Sequence, residues 1–139
     1  MGCIDERITR FIGKHHVLTV ATASNNTPYV ASCFYAYYSP RNIFIFTSDN
    51  TTRHGGEMAA NSRVALNITL ETRIVGRVQG LQVTGRAEPG DEEAKSRYLK
   101  RFPYAVATPL TLWMVRPEMM KLTDNTLGFG KKLIWQSEE

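Results

Sequence analysis

Apolar side chains in the first dozen residues recur at Ile4, Ile8, Phe11 and Ile12, with Asp5 and Glu6 early and Lys14 late. That spacing predicts one amphipathic helix, closed near Gly13. After His15 and His16 the period changes from about 3.6 to about 2. Residues 17–23 and 29–38 read as strands joined by the turn Ser24-Asn25-Asn26-Thr27-Pro28. Ser39-Pro40-Arg41-Asn42 breaks the second strand, and the run Ile43–Thr47 completes a three-strand antiparallel meander. A short helix opens near Thr52, and Arg63–Leu70 and 77–88 form another strand pair across a polar bend at 71–76. Gly80 and Gly85 are costly in a flat strand and predict bulges or a close approach by backbone or ligand. Residues 91–102 form a charged helix with Ala94, Tyr98 and Leu99 or Phe102 inward, ended by Pro103. Residues 111–123 are a last strand pair or one long bent strand, interrupted at Pro117. Many short strands with few helices give a mainly β, α+β class, and the strand glycines favour a closed barrel over a sandwich.

Composition narrows this picture. A chain of 139 residues with 42% apolar content suits one domain over 1–139. Seventeen basic against 13 acidic residues give +4, scattered along the chain. A scattered excess favours small anionic ligands over nucleic acid, which wants a basic stripe. Arg97, Lys100 and Arg101 come nearest to a stripe and read as the wet face of a helix. A barrel that binds single strands would use Tyr35, Tyr37 and Tyr38 as exposed stacking platforms. Cys3 and Cys33 stand in no metal or redox spacing, which fits a reducing cytoplasm. Asp5, Glu6 and Arg7 lie where a signal peptide needs an apolar core, and no run approaches membrane-spanning length. The expected location is cytoplasmic, with no membrane partner. Met1-Gly2-Cys3 opens like an acylation site, but Glu6 replaces the required Ser or Thr.

The candidate chemistry gathers between the third strand and the helix after it. Thr47, Ser48, Thr51, Thr52, Arg53 and His54 meet at a first helical turn, whose free N–H groups and positive dipole end favour an anion. Arginine adds a planar fork of donors matched to phosphate oxygens. The plainer alternative is equally open: Thr51 or Thr52 caps the helix and Arg53 is a solvated charge. Other motifs fail. Gly128-Phe129-Gly130-Lys131-Lys132 lacks the spacer and the Ser or Thr of a P-loop. Adjacent His15 and His16 on a strand point to opposite faces and share no metal. No Ser sits on a Gly-flanked elbow, and Asp91, Glu92 and Glu93 are explained as the start of a helix.

Phe34-Tyr35, Ile43 to Ser48, Thr52-Arg53-His54 and Asn61 to Leu66, in that order of elements, resemble the pyridoxamine 5′-phosphate oxidase-like split-barrel flavoprotein superfamily. The tail from Thr123 to Trp135 is similar to a small bacterial branch of it. The resemblance implies a six-stranded antiparallel split β-barrel with flanking short helices. It also implies a homodimer, with FMN in two clefts at the dimer interface and a small-molecule substrate. Matched position by position, the family's aromatic-Thr-polar segment falls on Phe46, Thr47 and Ser48, and its phosphate site on Thr52, Arg53 and His54. Ala31, Ser32, Cys33 and Phe34 would run beside the isoalloxazine. Gln79 and Gln82 lie near the glutamine that the partner subunit supplies. Lys131, Lys132 and Trp135 would close the cleft or grip an acidic substrate, the alternative being a surface lysine pair and a dimer-packing Trp. Two departures stand out. His54 replaces the oxidase's Lys, and the oxidase's substrate-binding C-terminal segment has no counterpart. FMN binding therefore carries over better than the oxidase reaction. The expected function is an FMN-binding flavoprotein oxidoreductase; the alternative is a non-enzymatic flavin- or haem-binding protein for storage or sensing.

Overall fold

The computed structural model describes residues 3–138. Met1 and Gly2, where an acylation start was considered, lie outside the described residues. Helix α1 (Glu6–Lys14) begins at Asp5, whose carboxylate accepts from the Arg7 N–H at 2.8 Å. The Arg7 side chain and backbone hold that carboxyl down to about 2. Ile8, Phe11 and Ile12 then close one end of a barrel.

The strands are β1 (Val17–Ser24), β2 (Thr27–Tyr38), β3 (Ile43–Thr47), β4 (Arg63–Leu70), β5 (Gln79–Pro89), β6 (Leu112–Asp124) and β7 (Lys132–Gln136). Their order is β3-β2-β1-β4-β5-β6-β7, and β3 also pairs with β6, so six antiparallel strands close on themselves. This is the split barrel that the sequence led us to expect. β6 holds β3 through Leu112 to Val115 and β7 through Met119 to Thr123. Helix α2 (Arg53–Ala60) lies at the end opposite α1, and α3 (Glu92–Arg101) covers the outside of β2, β3 and β6.

Local chemistry sets the details. Asn25 and Asn26 both take positive φ, the geometry of a two-residue turn whose twist matches the flanking strands. β2 therefore starts at Thr27, two residues earlier than the pattern suggested. The register shifts between Thr84 and Gly85, opposite Pro117, and a Cβ at Gly85 would lie 2.4 Å from the Arg116 carbonyl oxygen. That bulge absorbs the proline, so β6 runs unbroken where an interruption was expected. Gly80 has nothing closer than 3.9 Å to a virtual Cβ and sits in regular register, so no bulge forms there. The tail contains a seventh strand that the pattern did not show.

β3 is buried on both faces. Phe44 and Phe46 fill the barrel, while Ile43 and Ile45 join Ala36, Ala94, Tyr98, Phe102 and Met114 under α3. Of the two inward alternatives on α3, Phe102 is the buried one. Arg101 is not on a wet face: it donates to the Tyr35 carbonyl at 3.0 Å and to the His15 carbonyl at 2.6 Å. Tyr35 is fully buried and its hydroxyl donates to the Ile12 carbonyl, Tyr37 is half-buried and bonds Asn42, and Tyr38 lies under Arg97. None is the exposed stacking platform that nucleic-acid binding would use. Among the described residues no helix is long and apolar enough to cross a membrane.

Gly85→Ala should destabilise the fold by about 1–3 kcal/mol, because its methyl meets backbone that cannot yield. Gly80→Ala should stay within about 0.5 kcal/mol. Urea midpoints of the two variants decide it, and equal midpoints would refute the bulge as the reason for Gly85.

Candidate anion and cofactor site

The site is built where β3 ends. The Ser48 N–H donates to the Thr111 carbonyl at 3.0 Å, and the Trp113 indole N–H donates to the Ser48 carbonyl at 3.0 Å. The chain thus leaves the barrel from a fixed point. The Asp49 carboxylate accepts from the Thr51 N–H, and the Asp49 carbonyl accepts from both the Thr52 N–H and the Thr52 hydroxyl. The Thr52 hydroxyl in turn accepts from the Gly55 N–H at 3.1 Å, which makes it the N-cap of α2. Gly55 is required here, since a Cβ would lie 2.2 Å from the Asp49 carbonyl oxygen.

Capping leaves part of the first turn open. Among the described residues none accepts from the backbone N–H of Arg53 or His54. Arg53 is no free solvated charge. Its Nε donates to Glu57 at 3.1 Å and its guanidinium lies 4.2 Å from the centre of the Tyr29 ring. Glu57 is anchored from the other side by the Thr22 hydroxyl at 2.7 Å. The Thr22 bond first, then the Arg53 bond, holds the Glu57 carboxyl below the usual carboxylate range. The two terminal nitrogens of Arg53 have no acceptor among the described residues. Unpaired helix-start N–H groups and unpaired guanidinium nitrogens are each donor types that suit a phosphate. Glu57 and Asp49 offset the positive charge locally, so recognition rests on directed N–H donors more than on net charge. His54 is half-buried, and desolvation lowers its pKa, so it offers hydrogen bonds rather than a second cation at neutral pH.

The structure sorts the other candidates. Register between β2 and β3 begins only at Tyr35, so residues 27–34 of β2 have β1 on one edge and no strand on the other. That open backbone edge can meet the polar rim of a flat heterocycle. Ser32 and Phe34 project outward, while Ala31 and Cys33 pack against the barrel core. Burial pushes the Cys33 thiol up to about 11, away from nucleophile chemistry. Thr47 is half-buried, and Ser48 is buried near the Thr52 hydroxyl. Phe46 is fully buried, which leaves only its backbone for a ligand. Trp135 is likewise buried in the barrel core opposite Met120, so its side chain packs instead of closing a cleft. Gln79 pairs with Asp124 at the α1 end, Gln82 faces outward between Asn67 and Lys121, and Lys131 sits in the β6–β7 hairpin. These last three lie away from Arg53 within one chain. Sequence reasoning missed Thr22, Tyr29 and Glu57. The spacing of four from Arg53 to Glu57 was a readable signal, but the two β-strand partners had none.

Because the folded Glu57 carboxyl is held low, its bonds contribute stability that is present above its unfolded pKa and lost as pH falls through the folded value. Glu57→Gln should lower the thermal midpoint at pH 7, and the gap from wild type should narrow below about pH 4.3. A gap unchanged down to about pH 3 by calorimetry would show that Glu57 is not held this way.

A family model described as pyridoxamine 5′-phosphate oxidase matches residues 4–123. A UPF0306 protein of Photorhabdus laumondii is 38% identical over 133 residues, which span 93% of each chain. Among solved structures, a heme binding protein from Mycobacterium smegmatis superposes with a TM-score of 0.75 at 17% identity, covering 91% of this chain and 55% of that one. An FAD-binding protein from Mesorhizobium loti gives 0.73 at 17% identity, covering 86% and 92%. Similarity at that level shows a common fold. The matched family model and the near full-length identity show that the chain belongs to the UPF0306 family, a bacterial branch of the pyridoxamine 5′-phosphate oxidase-like split barrels.

Proposed function

We propose that the protein is an FMN-dependent oxidoreductase that holds the cofactor between two copies of the chain and acts on a small substrate. The observation that carries this reading is the open first turn of α2, where two backbone N–H groups and the terminal nitrogens of Arg53 are left without acceptors among the described residues. The open edge of β2 and the outward Phe34 supply one wall for a flat ring. Bound FMN would supply the electron transfer. The chain's residues bind and orient: Arg53 is held by Glu57 and Tyr29 and presents its fork to phosphate, and Phe34 keeps water from one face.

A second copy completes the site. The outer face of β2, β1, β4, β5 and β6 carries exposed Val30 and Phe34 around the small residues Ala21 and Ala65, with a groove of about 430 Å³ along it. A two-fold axis across the strands would bring the end bearing Gln79 against the partner's Arg53 end. A second reading, a non-enzymatic haem-binding protein, has one specific support. It is the fold shared with the heme binding protein from Mycobacterium smegmatis.

Freshly purified protein should be yellow, bleached by NAD(P)H or dithionite and restored in air. A haem spectrum would favour the second reading, and colour without turnover would favour storage or sensing. Arg53→Glu should weaken FMN binding by about 2–5 kcal/mol with the fold intact by circular dichroism. Native affinity in that variant would take Arg53 out of the site. Val30→Glu should turn a dimer into a monomer in size-exclusion chromatography and release the flavin. A variant that stays dimeric would move the interface elsewhere.

A further inference from the structure

On the outside of the barrel, where β2 runs out beside α1, a cleft of about 330 Å³ opens between the last turn of α1 and the second half of α3. Its floor is the end of β2, with Ala36 buried and Tyr37 and Tyr38 half-buried. Gly13 forms one wall, and a virtual Cβ there meets nothing within 4 Å, so open space adjoins the α1 backbone. The other wall carries Arg97, Lys100 and Arg101. The Arg97 guanidinium lies over the Tyr38 ring, 4.4 Å from its centre, and donates to the Tyr38 hydroxyl at 3.5 Å. Arg101 is fixed by the carbonyls of Tyr35 and His15, both neutral acceptors.

Three cations meet here, and no carboxylate lines the cleft. Among the described residues none of the three is in a salt bridge, and the Lys100 ammonium has no acceptor. Glu93, one turn before Arg97 on α3, is held by Arg41 at 3.0 Å. On α1 the acidic residue of the first turn, Glu6, faces Arg10 instead. Burial first, then the charges of His16 and Lys14, lowers the pKa of His15 at the same junction, so the surrounding field is positive as well. A cation in the last turn of a helix is an ordinary complement to its dipole, and that accounts for Arg101, which bonds the C-cap of α1. It does not account for Arg97, a full turn before the end of α3 and stacked on Tyr38. Like charges gathered in a cleft without a counter-charge attract an anion to it.

We propose that this cleft is a second anion site, which holds the phosphate group of a small ligand through the Arg97 guanidinium and the Lys100 ammonium. An arginine held flat on an aromatic ring presents directed N–H donors, and a lysine beside it adds a point charge, a pairing that suits a phosphate dianion better than a carboxylate. The basic residues are confined to the cleft, and the same helix begins with Asp91, Glu92 and Glu93, against which an extended polyanion would run. A small phosphate therefore fits better than a nucleic acid. The cleft lies on the α1 side of the barrel, away from Arg53, and its occupancy depends neither on a flavin nor on self-association.

Calorimetric titration of glycerol 3-phosphate into the Arg53→Glu protein separates the cleft from the start of α2. One ligand per chain should bind, at least about tenfold more tightly than acetate. Adding Arg97→Gln and Lys100→Gln should weaken binding at least about tenfold. Gly13→Phe, which fills the hollow without meeting backbone, should do the same with the thermal midpoint no lower. Lys95→Gln, an equal charge change outside the cleft, should leave binding as it was. Inorganic phosphate titrated in parallel tells the two sources apart: equal binding supports the free ion as occupant, and weaker binding an ester. No binding by the Arg53→Glu protein, or binding that survives the loss of Arg97 and Lys100, overturns the proposal. So does an equal loss in Lys95→Gln, which would reduce the effect to net charge. A single-stranded oligonucleotide that binds more tightly than glycerol 3-phosphate, and does so through Arg97 and Lys100, overturns it in favour of nucleic acid.

Discussion

The double burial of β3 is the constraint on which the rest of the molecule depends. Four consecutive apolar side chains alternate between the barrel interior and the space beneath α3, each stabilising the fold by about 1.5–3 kcal/mol. A strand held on both faces cannot slip by one residue without driving every side chain into the wrong compartment. Its end at Thr47 is therefore fixed in space. Ser48 is bonded to Thr111 and Trp113 across the seam, and it passes that fixity to the turn that caps α2. The unpaired donors at the start of α2 are positioned by the core rather than by a loop.

The chemistry of that turn shows how a modest charge can be made selective. Arg53 is held at one edge by Glu57 and from the side by Tyr29, so its fork is oriented before any ligand arrives. The carboxylate that positions the guanidinium also cancels part of its field. An anion held there would be selected by hydrogen-bond direction, which discriminates a phosphate from a generic anion better than net charge does. His54 extends the same logic, since it contributes donors without a permanent charge.

Much of the fold was legible because the sequence patterns came from packing. The unbroken apolar run of β3 announced a strand, the 3.6 spacing of α1 marked its stripe, and Gly85 marked a real bulge. What escaped notice depended on contacts between distant residues. Pro117 reads as a break until Gly85 is placed opposite it, and β7 is too short for its alternation to stand out from a glycine-rich tail. At the site, the capping role of Thr52 and the fork of Arg53 lay in one local stretch and could be read together. Thr22 and Tyr29 enter only because β1 and β2 pass beneath α2, and Trp135 looked available for a cleft because sequence alone gives no burial.

The unpaired edge of β2 has one more consequence. A row of free backbone donors and acceptors from Thr27 to Phe34 is a template on which any extended chain can add a strand, and Pro28 blunts it at one position only. Any molecule seated along that edge would shield the row from strangers. A chain with that edge uncovered thus carries an aggregation hazard that covering it would remove.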